Sequence, residues 1–321
     1  MSKDRNFRGM LEERWRQGSV CVGLDSDLAK IPESAQIVDT RHPSPFMGLD
    51  SEETLYEFTC EIFDAIKDLV STAKPNVAFF EAWGDAGWRA LRRVYVHIRE
   101  VAPEVPVIHD AKRGDIGNTN LGYIRSAFEY LGADAITVSP YLGQEALQPF
   151  LDEVNKGIIV LCKTSNKGAG EFQDLYVSVP LDEIKHMQQV KATEWSCGLP
   201  GSYTTLSNHV AYRVSKYWNE NGNCAVVVGA TYPSELENVR KIIGDMPILI
   251  PAVGFQQKDI PLEKQVEQVV QAGQDSRGKG MIINSSRGII FANSGQKYAE
   301  AARAETLKLH NIVNKYRKKA N

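Results

Sequence analysis

No two of the five cysteines, at positions 21, 60, 162, 197 and 224, stand in a Cys-x-x-Cys spacing, and an odd count makes a poor disulfide framework. Cys21, Cys162 and Cys224 lie inside apolar runs, the pattern of buried thiols in a reducing cytosol, so a cytoplasmic protein is expected. The six histidines are scattered, with no His-Glu-x-x-His pair and no zinc spacing, and no metal is expected. No apolar run approaches the ~20 residues of a membrane span. The opening "MSKDRNFRGMLEERWRQ" is charged and lacks the apolar core of a secretory signal. Positive charge is not in surplus: 37 Lys and Arg against 40 Asp and Glu leave a net charge of −3. That excludes the basic footprint of a nucleic-acid or anionic-membrane binder. A Gly-x-x-x-x-Gly-Lys-[Ser/Thr] phosphate loop is missing, and "RGKGM" opens no helix of the kind a dinucleotide fingerprint needs. There is no internal repeat, low-complexity tract or linker, so residues 1–321 read as one domain.

What is present is an alternation. Hydrophobic residues make up 43% and charged residues 24%, ordinary globular values. Eight short apolar runs recur at 19–25, 72–81, 105–112, 134–140, 157–165, 224–230, 246–254 and 280–288. They are rich in Val and Ile and mostly uninterrupted, which fits parallel strands buried on both faces. Helix-like segments at 51–70, 87–101, 120–132, 233–244 and 261–273 fall between them, several closing on Gly. A polar amphipathic helix with a basic end is expected at 295–318. Eight such units predict an α/β fold, a (β/α)8 TIM barrel, with a doubly wound open sheet as the runner-up. The barrel is preferred because polar residues cluster at the C-terminal ends of the runs, where barrel active sites sit. Residues 1–18 form a helical extension. The stretches 26–50 and about 166–222 are too long for simple connections, and are expected to be insertions covering one end.

The third run breaks into "HDAKRGDIGNT" (109–119), with Asp, Lys and Asp inside six residues. Asp110 and Lys112 are two apart on a strand and share a face, while His109 points to the helix layer. Gly114 permits a turn from which Asp115 leaves on a loop. A lysine beside two carboxylates keeps its proton and is an acid rather than a nucleophile. The competing reading is a structural ion pair at a strand end; an adhesive Arg-Gly-Asp tripeptide fits poorly in a chain with no secretory features. Lys74 lies inside the second run, with Asn76 at the same parity. A buried Lys needs a partner, and Asp110 is the candidate, although a Lys reaching solvent at the barrel end is as common. Asp25 ends the first run and suits either hydroxyl binding or capping. After the seventh and eighth runs come "PAVGFQ", with Gly254 and Gln256, and "NSSRG", with Ser285, Ser286, Arg287 and Gly288. Loops there often hold a phosphate, and Arg287 brings a planar donor fork. Either loop alone would be plain turn chemistry.

The segment "DAKRGDIGNT" resembles the Asp-x-Lys-x-x-Asp-Ile-Gly-x-Thr signature of the orotidine 5′-phosphate decarboxylase family. "VGLD", "KPNVAFFE", "KTSN", "PAVGFQ" and "NSSRG" resemble further segments of that family in the same order, from about residue 19 to 292, and the long insertion resembles its longer branches. The resemblance implies a barrel homodimer with shared active sites that converts orotidine 5′-phosphate to UMP and CO2, without metal or cofactor. It implies that Lys112 protonates C6 of the pyrimidine, that Asp110 lies by the substrate carboxylate, and that Lys74 bridges Asp110 and the ribose. Asp25 and Asn76 match ribose-side positions. Asp115, Ile116 and Thr119 match residues given to the neighbouring subunit's site. Ser165 matches a pyrimidine contact, Gln256 and Arg287 the phosphate grip, with Gln257 adjacent, and Pro251 an apolar wall near the base. The Gly-bearing 166–175 stretch has the position of a lid. The nearest rival is a Mg²⁺-dependent keto-sugar-phosphate decarboxylase or aldolase of related barrel type, some of which carry a similar Asp-x-Lys-x-x-Asp array. A non-catalytic nucleotide-binding or scaffold protein on the same barrel is the third possibility.

Overall fold

The computed structural model describes residues 5–39, 48–184, 202–254 and 260–318. Each of the eight apolar runs contains a parallel strand. The barrel strands are β1 (Val20–Leu24), β2 (Thr72–Pro75), β3 (Ile108–Arg113), β4 (Ala135–Val138), β5 (Gly157–Lys163), β8 (Cys224–Val228), β9 (Ile248–Ile250) and β10 (Met281–Ser285). The intervening β6 (Tyr176–Val179) and β7 (Ser202–Thr205) form a separate two-stranded antiparallel sheet among the described residues. The large sheet runs β2-β1-β10-β9-β8-β5-β4-β3. Parallel bridges Ala73 to Val107 and Asn76 to Asp110 join its two ends and close the barrel. An open doubly wound sheet is thereby ruled out.

Closure explains the uninterrupted runs, because every strand has two buried faces. Cys21, Ile108, Ala135, Ile159, Ala225, Val227, Leu249 and Ile282 pack together inside the barrel. Their neighbours Val20, Val22, Ile136, Ile158, Val160 and Val226 pack outward against the helices. The helix Phe7–Arg14 plugs the N-terminal end of the barrel. Asn6 caps it, accepting from Gly9 N, and its Phe7, Leu11 and following Trp15 join the interior cluster. Trp15 Nε1 donates to Met281 O at 2.6 Å. Gly157 is required beneath this plug, since a Cβ there would lie 2.2 Å from the Phe7 ring. The opposite, C-terminal end is left open for chemistry.

Two local outcomes differ from the sequence reading. The second run is strand only as far as Pro75, and Ala78–Glu81 is a helical turn. Asn76 Oδ1 accepts from Ala78 N at 3.2 Å, an Asx-type contact that turns the chain. The 166–222 stretch, meanwhile, carries the antiparallel β6–β7 pair and also the helix Leu206–Arg213, which packs on β5 as a barrel helix. The four described thiols, Cys21, Cys60, Cys162 and Cys224, are free and buried. Burial raises those of Cys21, Cys162 and Cys224 to about 12.

Candidate active site

The C-terminal ends of the strands converge on two adjoining cavities, of about 190 and about 520 Å³, which share Lys74, Asp110, Ser165 and Pro251. Asp25, Asn76, Ser286 and Arg287 line the smaller cavity. Lys112 lines the larger one, with Thr137 and the overhanging segment from Asn166 to Gln173. Nine of the fourteen site residues expected from the sequence thus border one continuous space.

At its floor is a charge array. Lys74 Nζ donates to Asp110 Oδ2 at 2.6 Å, and Lys112 Nζ donates to Asp110 Oδ1 at 2.7 Å. Asp25 Oδ1 lies 4.0 Å from Lys74 Nζ and is buried without a hydrogen-bond partner among the described residues. That oxygen is placed to accept from a ligand hydroxyl. Burial opposes the charge of Lys74, but attraction to Asp110 and then Asp25 outweighs it and holds the ammonium above its ordinary value. Burial likewise pushes Asp110 up, yet Lys74 and Lys112 together hold its carboxyl well below the usual carboxylate range. The Lys74 ammonium and the Asp110 carboxylate therefore keep their opposite charges across the neutral pH range. Lys74 is buried, whereas the Lys112 side chain is 50% exposed and faces the cavity. The alternative of a solvent-seeking Lys74 is excluded.

Asp110 and Lys112 meet, though not through regular strand parity. The β3–β4 ladder pairs His109 with Ile136 and next pairs Arg113 with Val138, so β3 bulges between them. Lys112 has a left-handed backbone with φ of 50°, an uncommon conformation for any residue but Gly. His109 obeys parity: it is buried against the helix Gly84–Val101, where its Nδ1 meets Tyr95 Oη at 2.9 Å.

Asp115 takes a separate course. Its Oδ1 accepts from Ile116 N at 2.7 Å, and its own N–H donates to the buried Asn120 side chain, which also holds Ala146 O. Among the described residues it forms no ion pair, so within one chain Lys112 has one carboxylate beside it, not two. Gly114 allows this departure, as a Cβ there would lie 2.9 Å from Ser139 O. Ile116, 59% exposed, and Thr119, also exposed, do not line the cavity of their own chain.

Close backbone approach shapes the rest of the mouth. A Cβ on Gly23 would lie 1.8 Å from Ser286 Oγ. Ser286 also accepts from Asn284 Nδ2 at 3.3 Å. Gly254, with φ of 82°, adopts the left-handed turn after β9, and its N–H donates to Gln265 Oε1 at 3.3 Å. Gln256 and Gln257 lie outside the described residues. Sequence reasoning missed Thr137, Asn284 and the fastening of the overhang. Thr164 N donates to Gln173 Oε1 at 2.8 Å, and the buried Lys163 pairs with Asp174 and stands 4.7 Å from the centre of the Tyr232 ring. Lys163 was available as a signal, being a third lysine near the end of an apolar strand, after Lys74 and Lys112.

Comparison with known proteins agrees with this geometry. The family model for "Orotidine 5'-phosphate decarboxylase / HUMPS family" matches residues 19–302. An orotidine 5′-phosphate decarboxylase of Janthinobacterium sp. (strain Marseille) is 40% identical over 300 residues, covering 92% of this chain and 93% of its own. The solved OMP decarboxylase of Leishmania donovani superposes with a TM-score of 0.70 at 32% identity, over 96% of this chain and 99% of its own. The UMP synthase of the same organism gives 0.73 at 33% identity, covering 98% of this chain and 56% of its own. The chain belongs to the orotidine 5′-phosphate decarboxylase / HUMPS family.

Proposed function

We propose that the chain converts orotidine 5′-phosphate to UMP and CO2, the last step of pyrimidine synthesis, without a metal or cofactor and from a cytoplasmic location. The observation that carries this reading is the Lys74–Asp110–Lys112 array at the barrel mouth. Breaking the C6–carboxylate bond leaves the electron pair on C6. The Lys112 ammonium, fixed by Asp110, stabilises that developing charge and then transfers a proton to C6, with no reorganisation needed at the moment of reaction. Because Lys112 is half-exposed, solvent returns its proton after release. Asp110 lies where the substrate carboxylate departs, and Lys74 holds Asp110 while reaching toward the ribose. Asp25 and Asn76 serve the ribose hydroxyls, Ser165 the pyrimidine, and Pro251 walls the base.

Accelerations up to ~10^17-fold, about 23 kcal/mol, exceed what a single ion contact supplies. Binding energy from the remote phosphate is therefore part of the reading. Gly254, Gln256, Ser286 and Arg287 grip the phosphate, and the 166–175 overhang closes over the base as a lid. Asp115, Ile116 and Thr119 complete the site of a second copy in a homodimer. None of the three lines its own chain's cavity, and that, with the exposed Ile116, Leu121, Tyr141 and Leu142, supports the arrangement.

The Mg²⁺-dependent sugar-phosphate reading is disfavoured because both oxygens of Asp110 already accept from lysine ammonium groups. An absorbance assay of purified protein with orotidine 5′-phosphate, with and without EDTA, tests the proposal. Equal turnover in both is expected. Activity lost to EDTA and restored by Mg²⁺ would favour the rival, and UMP binding without CO2 release would favour a non-catalytic protein.

A further inference from the structure

The bulge in β3 raises the question of what holds it. Between the pairs His109–Ile136 and Arg113–Val138, three residues of β3 face one residue of β4, Thr137. The backbone N–H groups of Ala111 and Lys112 thereby lose regular ladder partners. Both donate instead to Thr137 Oγ1, at 3.0 and 2.9 Å. The hydroxyl proton is directed onto Asp110 Oδ1 at 3.0 Å, the same oxygen that receives Lys112 Nζ. A threonine hydroxyl has one proton and two lone pairs, and all three are used here. Thr137 is 1% exposed, so water offers no ready substitute for these contacts.

We propose that Thr137 is a positioning residue for the decarboxylation, an inference that rests on the activity proposed above. One oxygen holds the left-handed backbone of the proton donor and the carboxylate that aims it. Without it, the Lys112 backbone is free to relax toward regular strand, which carries the side chain away from Asp110. The role belongs to the hydroxyl rather than to the branched carbon skeleton, because every contact named is made by Oγ1.

The test compares wild type, Thr137→Val and Thr137→Ser. Valine keeps the shape and removes the oxygen; serine keeps the oxygen. Misplacing a proton donor by a fraction of an ångström lowers turnover steeply, so Thr137→Val is expected to lose about tenfold to a hundredfold in kcat. Its KM is expected to stay within about threefold, as the phosphate and ribose contacts are untouched, and Thr137→Ser is expected to recover most of kcat. A folded Thr137→Val with wild-type kcat would overturn the proposal. So would a loss shared by the Val and Ser variants, or one that tracks only a reduced folded fraction. If Thr137→Val does not fold, Thr137→Cys decides by the same criteria, since its thiol is a weak acceptor of near-equal size. Failure of the activity itself is recognised separately, by wild-type protein that releases no CO2.

Discussion

Lys74 and Asp110 face each other across the seam at which the barrel closes. Their 2.6 Å contact joins β2 to β3, the pair of strands otherwise linked by the bridges Ala73–Val107 and Asn76–Asp110. The ion pair is therefore part of the site and part of the closure. Catalysis and stability are expected to respond together to its loss, unlike the response to loss of the exposed Lys112.

The substitution Lys74→Met removes one ammonium and leaves Asp110 with Lys112 and the Thr137 hydroxyl, both on Oδ1. Breaking a buried pair on one side costs roughly 3–5 kcal/mol. The low end is expected here because half of the compensation of Asp110 survives. Chemical denaturation reads the loss, and turnover falls in the same variant. An unchanged denaturation midpoint would show that the pair contributes nothing to closure.

The position of Asp115 gives a sharper test. Lys112→Ala is expected to fold normally, because half of that side chain is already in solvent, and to lose nearly all turnover. Asp115→Ala removes a carboxylate that has no ion-pair partner among the described residues of its own chain. If Asp115 completes a second copy's site, mixing the two inactive variants generates dimers with one site carrying both intact residues. Activity then reappears on mixing and rises as subunits exchange. Confirmed exchange without recovery would place Asp115 outside the partner's site.

Much of this was legible in the sequence for a physical reason. Strands buried on both faces leave uninterrupted apolar runs, so all eight were visible, and a charge within such a run stands out, as Lys74 and Asp110 did. The outward turn of His109 followed from parity alone. What stayed hidden depends on registers between strands. Thr137 looks like any strand threonine until the ladder shows three residues of β3 opposite it. The end of β2 at Pro75 depends on the side chain of Asn76 capturing Ala78 N. The separation of Asp115 from Lys112 arises from the bulge and from Asn120, a residue five positions further on whose amide ties the loop down.

His109 provides the pH-dependent prediction. Burial, and then the positive charge of Arg113, lowers its pKa to about 4 from an ordinary 6.5. The folded protein thus keeps the imidazole neutral in conditions where the unfolded chain protonates it. This contribution to stability is fully present above pH 6.5. It declines as pH falls toward 4, since only the unfolded state takes up the proton there. The slope for one proton is about 1.4 kcal/mol per pH unit. Across the window the loss approaches about 3 kcal/mol. Asp110 does not confuse the measurement, because a carboxyl held below its ordinary value gives up its stabilisation only as pH falls through that ordinary value, beneath the range measured here. In His109→Asn the titrating group is gone. Urea midpoints measured at pH 7, 6 and 5 are then expected to fall less steeply than in wild type. Parallel curves for the two proteins would mean that His109 takes up its proton as readily folded as unfolded.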